Sequence, residues 1–117
     1  MELKRVVVTG LGALTPIGNN IEEYWEGLSN GVSGCAPITY FDTEKFKTKF
    51  ACELKNFNVI DHIDRKEARR MDPFTQYALV VAEQAISSSN IDLEGIDLSR
   101  AGVIWGSGIG GLKTFQD

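Results

Sequence analysis

Apolar and polar residues follow two different spacings along the chain, and together they predict an α/β protein. Residues 4–9 contain the continuous run from Val6 to Thr9, which is typical of a strand buried on both faces. Later apolar residues recur at helical spacing, and short strand-like segments separate these helical ones. The predicted order is strand, helix, short strand, helix and strand, which is the layer pattern of an α/β fold.

The first helical segment has residues that predict both of its ends. Asn20 is a favourable N-cap residue, and Glu23 has the spacing of a capping box. The apolar residues fall at i, i+3, i+4 and i+7 and form one stripe: Ile21, Tyr24, Trp25 and Leu28. Asn30 and Gly31 then predict the end of the helix.

The region between the helices has a weaker pattern, and it predicts one short strand. Residues 32–47 show no repeat and predict a loop, whereas residues 48–55 predict a strand. Helical spacing returns at Asp64, and Glu67 again completes a capping box.

A longer helix is predicted to begin at Asp72 and Pro73, because proline is tolerated at the first helical position. Apolar residues then lie on almost every side of residues 74–86, and Ser87 to Asn90 closes the segment. A helix of this kind is normally buried in the core of a larger body. Two substantial helices cannot cover strands that are apolar on both faces. The chain is therefore expected to be the N-terminal part of a larger fold, or to need a partner chain.

Four glycines surround one large apolar side chain after the last predicted strand, residues 102–106. Ile109 is the only bulky residue between Gly106 and Gly111. Glycine is used where the backbone needs a positive φ or where another group must approach it closely. Two interpretations stay open: a place where a ligand or a partner backbone approaches Ile109, and a tight turn without a ligand.

The glycines do not favour a phosphate-binding role. The sequence from Gly10 to Gly12 resembles the opening of a dinucleotide fingerprint, but Thr15 stands where its third glycine should be. Pro16 also disfavours a helix start at the place where a pyrophosphate would need one. A nucleotide-binding module for NAD, FAD or ATP is thus the weakest hypothesis, and the sequence predicts no cofactor.

Composition narrows the class of protein further. The chain has 117 residues, which is enough for one domain of ordinary size. Hydrophobic residues make up 43% of it and charged residues 24%, which is the composition of a globular protein. Its formal net charge of -4 argues against a nucleic-acid partner. No apolar run has the length of a membrane span or of a signal-peptide core, so a cytoplasmic location without a membrane partner is expected.

The cysteines and the histidine do not predict a metal site. Cys35 and Cys52 are not in a CxxC pair, and His62 is the single histidine, so the usual four-ligand zinc site is not favoured. A cysteine–histidine pair stays open on spacing alone. Isolated intracellular cysteines mostly behave as small buried hydrophobic residues, and this is the expectation for both.

Four cations lie within six residues at the start of the second helical signal: Arg65, Lys66, Arg69 and Arg70. Three of them share the spacing i, i+3 and i+4, which places them on one helical face. Two interpretations are open. The cluster is either a solvated face with ion pairs inside the helix, or a docking patch for an acidic partner.

Three stretches taken together resemble the β-ketoacyl-[acyl carrier protein] synthases, the condensing enzymes of fatty acid synthesis. The stretches are Val6-Val7-Val8-Thr9-Gly10-Leu11-Gly12 with Thr15-Pro16-Ile17-Gly18, Arg65-Lys66-Glu67-Ala68-Arg69-Arg70-Met71-Asp72, and Gly106-Ser107-Gly108-Ile109-Gly110-Gly111-Leu112. The resemblance runs from residue 4 to the last residue. It is closest to the type II elongating members, which resemble this chain in having isoleucine in the glycine loop.

The resemblance implies the thiolase fold, a duplicated α/β/α/β/α sandwich that works as a homodimer. Residues 1–117 would be the N-terminal portion of that domain, incomplete by itself. It also implies an acyltransferase that performs a decarboxylative Claisen condensation with a cysteine and two histidines. Cys35, Cys52 and His62 do not match those motifs, so this chain is predicted to hold no catalytic residue and to be inactive alone. A non-catalytic relative, such as the chain-length factor of a polyketide synthase, stays open.

Two groups of residues match binding sites of that family. Gly108, Ile109 and Gly110 match the glycine loop in which a branched side chain gates the acyl pocket. The docking patch for acyl carrier protein is matched by Lys66, Arg69 and Arg70, with Arg65 beside them. The resemblance thus favours the ligand interpretation of the loop and the docking interpretation of the basic cluster.

Overall fold

The computed structural model describes residues 3–116, which form two compact units. One unit comprises residues 13–58, and the other combines residues 3–12 with residues 59–116. The helices are α1 (Ile21–Ser29), α2 (Arg65–Ala68), α3 (Pro73–Ser89) and α4 (Leu112–Gln116), and the strands are β1 (Ala36–Pro37) and β2 (Phe50–Ala51). Short 3₁₀ turns lie at Val59–Asp61 and Leu98–Arg100.

Helix α1 begins and ends where the sequence predicts. The Glu23 N–H donates to Asn20 Oδ1 at 2.9 Å, so Asn20 is the N-cap. The Glu23 carboxylate returns to the N–H of Asn19, at 2.8 Å, rather than to that of Asn20. Gly31 has φ +64° directly after the cap residue Asn30, which is the left-handed geometry that ends many helices.

Helix α1 packs through only part of its predicted apolar stripe, of which Ile21 and Tyr24 are partly buried. Trp25 and Leu28 of the predicted apolar stripe are 68% and 48% exposed. The buried residue of the helix is Gly27, where an added Cβ would lie 2.9 Å from the Ile17 carbonyl oxygen. The missing side chain lets the Ile17 backbone approach the helix, so this contact is made by a glycine that no apolar pattern reveals.

The predicted loop at residues 32–47 contains strand β1, which the sequence pattern missed. Strand β1 pairs with β2 in an antiparallel ladder, and β2 lies inside the predicted strand at residues 48–55. At two residues, β1 is too short to show a period, and one of them is Pro37. Lys55 helps to hold this unit together, because its Nζ donates to the carbonyls of Pro16 at 3.0 Å and Gly34 at 2.6 Å.

The second unit is built on α3. Val80 of this helix is 1% exposed and Ala68 of α2 is 4% exposed, and these are the buried hydrophobic residues of the described chain. The helix ends at Asn90, which has φ 51°. Only a small apolar core therefore forms among residues 3–116, in line with the incomplete core expected from the sequence.

The outer two predicted strands are not formed. Residues 4–9 and 102–106 have no strand assignment, and Val6 and Ile104 are 89% and 100% exposed. A β-strand needs a hydrogen-bonded neighbour, and among the described residues only β1 and β2 form a sheet. The prediction of these two strands is wrong for the described structure, although their apolar sequence is that of a strand covered on both faces.

The polar connection after α3 is held by a local cap. The Ser99 hydroxyl and N–H donate to the Asp97 carboxylate at 2.6 and 3.0 Å. These two hydrogen bonds favour the ionised carboxylate and lower the pKa of Asp97.

Candidate functional site

The glycine loop packs against the first turn of α3. An added Cβ at Gly110 would lie 2.8 Å from Cε1 of the Phe74 ring, so a larger residue would require the loop or the ring to shift. Gly111 has φ +74°, and its Cβ would lie 3.1 Å from Asp72 Oδ2. Glycine is therefore favoured at 110 by the close approach of the Phe74 ring and at 111 by the positive φ.

Asp72 connects the loop to α3 in a way that the sequence does not reveal. It occupies the N-cap position of α3, as predicted, but its side chain makes no capping hydrogen bond. Its Oδ1 instead accepts a hydrogen bond from the Thr114 hydroxyl in α4. Because these residues are 42 positions apart, no local motif could have indicated the pair.

Ile109 projects from the loop into open surroundings. Its side chain is 77% exposed, and nothing lies within 4 Å of a Cβ added at the neighbouring Gly108. The loop thus presents one exposed apolar side chain. Its role as an acyl-pocket wall stays a prediction.

The basic cluster forms one helical turn at α2. Asp64 caps this helix as predicted, because its Oδ1 accepts from the N–H groups of Lys66 at 2.8 Å and Glu67 at 3.4 Å. The turn continues past Ala68, since the Arg69 and Arg70 N–H groups donate to the carbonyls of the first turn at 3.3 and 2.9 Å. A capped turn therefore carries all four cations.

The four cations of the basic cluster point to solvent. Arg65, Lys66, Arg69 and Arg70 are all exposed, and within residues 3–116 none forms an ion pair with a carboxylate. Intrahelical ion pairs, one of the two interpretations of the cluster, are therefore not formed in this structure. The docking role of the cluster stays a prediction.

The first turn of α3 contacts both predicted sites. Gln76 Nε2 donates to the carbonyls of Ala68 at 2.8 Å and Met71 at 3.2 Å, which ties α3 to the end of the basic turn. Phe74 and Asp72 meet the glycine loop from the same turn. The loop and the basic cluster are thus anchored on one element, although they are 40 residues apart in sequence.

Loss of the Asp64 cap should loosen the basic turn. Replacing Asp64 by Ala removes the oxygen that accepts both hydrogen bonds and is expected to lower the free energy of unfolding by about 1 kcal/mol. Asp64→Ser keeps an N-cap acceptor and should lose about half of that or less. Urea unfolding followed by circular dichroism measures both. Equal losses in the two variants would mean that capping is not the role of Asp64.

Other polar groups lie outside these two sites. A cavity of about 270 Å³ is lined by Asp61, His62, Val80, Glu83, Gln84 and Ser87, and a second of about 480 Å³ lies between the Thr15–Gly18 turn and Lys55. Among the described residues, no cluster of three or more His, Cys, Asp or Glu side chains could hold a metal ion. Both cysteines are exposed, so the expectation that they are buried is wrong.

None of the helices among residues 3–116 combines the length and the apolar character needed to cross a bilayer.

Comparison with known proteins gives a consistent match. The family model described as "Beta-ketoacyl synthase, N-terminal domain" matches residues 3–117. The chain is 54% identical over 113 residues to 3-oxoacyl-[acyl-carrier-protein] synthase 2 of Staphylococcus aureus, covering 97% of the chain. It is 46% identical over 117 residues to the protein of the same name from Synechocystis. It spans about a quarter of these relatives, 27% and 28% of their lengths.

A solved structure is also similar. It is described as the ishigamide ketosynthase/chain length factor, and it matches 75% of this chain with a TM-score of 0.65 and 36% sequence identity. The match covers 22% of that protein's chain.

Proposed function

The chain belongs to the beta-ketoacyl synthase family, whose N-terminal domain it matches, and from this premise we propose that it is part of a 3-oxoacyl-[acyl carrier protein] synthase. The observation that carries the proposal is the 54% identity to the staphylococcal synthase, which extends over 97% of the chain. The family's thiolase-like fold accounts for the apolar strand sequences and for the small core.

The proposed reaction is the decarboxylative Claisen condensation of an acyl group with malonyl-acyl carrier protein in fatty acid elongation. A cysteine thiolate would hold the acyl group as a thioester, and two histidines would assist decarboxylation and stabilise the developing oxyanion. Cys35, Cys52 and His62 do not lie in the motifs for these roles. The 117-residue chain by itself is therefore expected to be inactive. The intact enzyme is expected to be a cytoplasmic homodimer without nucleic-acid or membrane partners.

The continuation of the reading frame tests this proposal directly. We expect a cysteine in a small-residue loop at a strand-to-helix junction, followed by two histidines, and condensation of acyl with malonyl groups by the intact protein. A frame that continues without these three residues would refute the synthase function.

A chain-length-factor-like partner is the second candidate. It is favoured by one observation, the similarity to a solved ketosynthase/chain length factor. Such a protein would share the fold and the carrier docking but lack the nucleophile. Glutamine in place of the downstream cysteine, together with an inactive intact protein, would support this candidate over the synthase.

Ile109 is the residue proposed to control acyl chain length. Gly108 leaves open space beside it, and Gly110 lies against the Phe74 ring, so the loop is fixed on one side and free on the other. An isoleucine held this way can fill or vacate the end of an acyl pocket by changing its rotamer. The acyl chain, rather than the carrier protein, is the ligand proposed for this loop.

Replacing Ile109 by Phe should shorten the longest acyl chain that the intact enzyme accepts. The larger ring occupies volume that the last methylenes of a long chain would need, so kcat/KM for the longest substrates should fall at least about tenfold. Ile109→Val, which keeps a branched side chain, should retain the longest substrates. Activity over a series of acyl chain lengths measures this, and an unchanged profile for the Phe variant would remove Ile109 from the pocket.

The basic cluster is proposed to dock acyl carrier protein. The support is the exposure of the four cations and the absence of ion pairs that would neutralise them within residues 3–116. An acidic carrier helix would supply the missing negative charge and would be steered towards this turn.

A further inference from the structure

The two cysteines of the chain lie on facing segments of the β1–β2 hairpin. Ala36 pairs with Ala51 in this antiparallel ladder, and Pro37 pairs with Phe50. The same register, continued by one residue, sets Cys35 opposite Cys52. Side chains that are directly opposite in an antiparallel pair project from the same face.

The hydrogen bonds of the hairpin define the kind of pair that the cysteines form. The Ile38 N–H donates to the Lys49 carbonyl at 3.1 Å, so these residues are a hydrogen-bonded pair. Such pairs alternate with non-hydrogen-bonded ones, which assigns Cys35 and Cys52 to the second kind. Pro37, which has no N–H to donate, occupies a position of the same kind.

The geometry of a non-hydrogen-bonded pair suits a disulfide. Its Cα atoms are about 4.5 Å apart, inside the range of roughly 4.4–6.8 Å that disulfides span. The two segments also stay together on the far side of the cysteines, because Lys55 Nζ donates to the Gly34 carbonyl at 2.6 Å. Both cysteines are exposed and neither is in a disulfide, so both thiols are accessible to a reagent.

We propose that Cys35 and Cys52 are a redox-active pair that forms a reversible disulfide with a small-molecule disulfide, such as oxidised glutathione, as oxidant. One cysteine thiolate attacks the reagent, forms a mixed disulfide and releases one thiolate of the reagent. The second cysteine thiolate then attacks the sulfur of the first and releases the other. The two cysteines lose two protons and two electrons in total, and the reagent leaves as two thiols.

The disulfide would close the base of the hairpin. Residues 35–52 would become a covalent loop that contains the paired rings of Phe41 and Phe46, whose centroids are 5.3 Å apart. Closing this loop restricts the unfolded states of the segment, so oxidation would stabilise the hairpin. This inference rests on the hairpin register and not on the proposed condensing activity.

Peptide mapping of the intact protein tests the proposal. Trypsin separates the two cysteines, because it cleaves after Lys45, Lys49 and Lys55 and so places them in peptides 6–45 and 50–55. After reaction of the native protein with oxidised glutathione, we expect these peptides to be linked and to separate on reduction. The linked form should exceed the two glutathione adducts at least about tenfold, since the second attack is intramolecular.

Two comparisons make the result specific to the folded pair. Cys35→Ser and Cys52→Ser should each stop at a glutathione adduct on the remaining cysteine, with no linked peptide. The same reaction in concentrated urea should lower the ratio of linked peptide to adducts several-fold, because the register is lost. A native protein that gives separate adducts, or that keeps both thiols reduced, would overturn the proposal.

Discussion

Replacing both Arg69 and Arg70 by Glu is expected to raise the KM of the intact enzyme for acyl-carrier-protein substrates about tenfold to a hundredfold. The two arginines lie on the capped turn that ends α2, and neither is neutralised by a carboxylate within residues 3–116. Reversing both charges replaces attraction to an acidic carrier helix by repulsion. Initial-rate kinetics with acyl-carrier-protein substrates measure the effect.

Four controls separate docking from damage to the fold. Acyl transfer from coenzyme A should be spared, because that donor does not need the carrier surface. Arg69→Lys with Arg70→Lys keeps the charge and should retain most of the affinity, and Arg100→Glu tests a reversal at an exposed site outside the turn. The difference in KM should also shrink as salt is added. Equal losses with both acyl donors would show that the arginines do not act by docking.

Local signals in the sequence were sufficient for the parts of the fold that are made by neighbouring residues. The caps at Asn20 and Asp64 were predicted from capping-box spacing, and both side chains accept the expected backbone hydrogen bonds. The end of α1 was predicted from Gly31, which has the expected positive φ. In each case the hydrogen-bonding groups lie within four residues, so the sequence contains the whole interaction.

Interactions between distant residues were not predictable in the same way. The bond from Thr114 to Asp72 and the contact of Gly110 with Phe74 depend on how the chain returns to α3. The apolar run at Val6 predicted a strand, but the run has no hydrogen-bonded strand neighbour among residues 3–116 and forms no strand there. Strand formation depends on what lies beside the segment, and apolar pattern alone does not supply that.

In the candidate site, too, features made by neighbouring residues were predictable and contacts between distant residues were not. The four cations were found because they are close in sequence, whereas their shared anchor with the glycine loop was not. Gln76 supplies that anchor by hydrogen bonds to the carbonyls of Ala68 and Met71. A glutamine inside a predicted helix has no sequence feature that distinguishes it from an exposed one.

The glycines at residues 10 and 12 have a structural explanation that the fingerprint comparison did not give. The segment lies directly on α3, where the Leu11 N–H donates to Ser88 Oγ at 3.0 Å and that hydroxyl lies 3.0 Å from the Leu11 carbonyl. An added Cβ at Gly12 would lie 2.2 Å from the Val81 carbonyl oxygen. The two glycines therefore allow backbone to contact helix backbone, and no phosphate is needed to account for them.

Replacing Gly10 by Ala is accordingly expected to have the largest effect on stability, a loss of about 3 kcal/mol or more in the free energy of unfolding. Its Cβ would lie 2.1 Å from the Ala85 carbonyl oxygen and 2.7 Å from Ser89 Cβ. The nearest atom belongs to helix backbone, so the overlap can be relieved only by moving the segment or the helix.

Gly31→Asn is the matched control, because an added Cβ there meets nothing within 4 Å and asparagine tolerates φ +64°. Its free energy of unfolding should change by less than about 0.5 kcal/mol, and urea unfolding of the intact protein measures both variants. A Gly10→Ala protein as stable as this control would mean that the segment does not lie on α3. If the glycines instead cradled a nucleotide, NAD, FAD or ATP would stabilise the unsubstituted protein, and the Gly10→Ala variant would lose this stabilisation. Close packing predicts that these compounds stabilise neither the unsubstituted protein nor the variant.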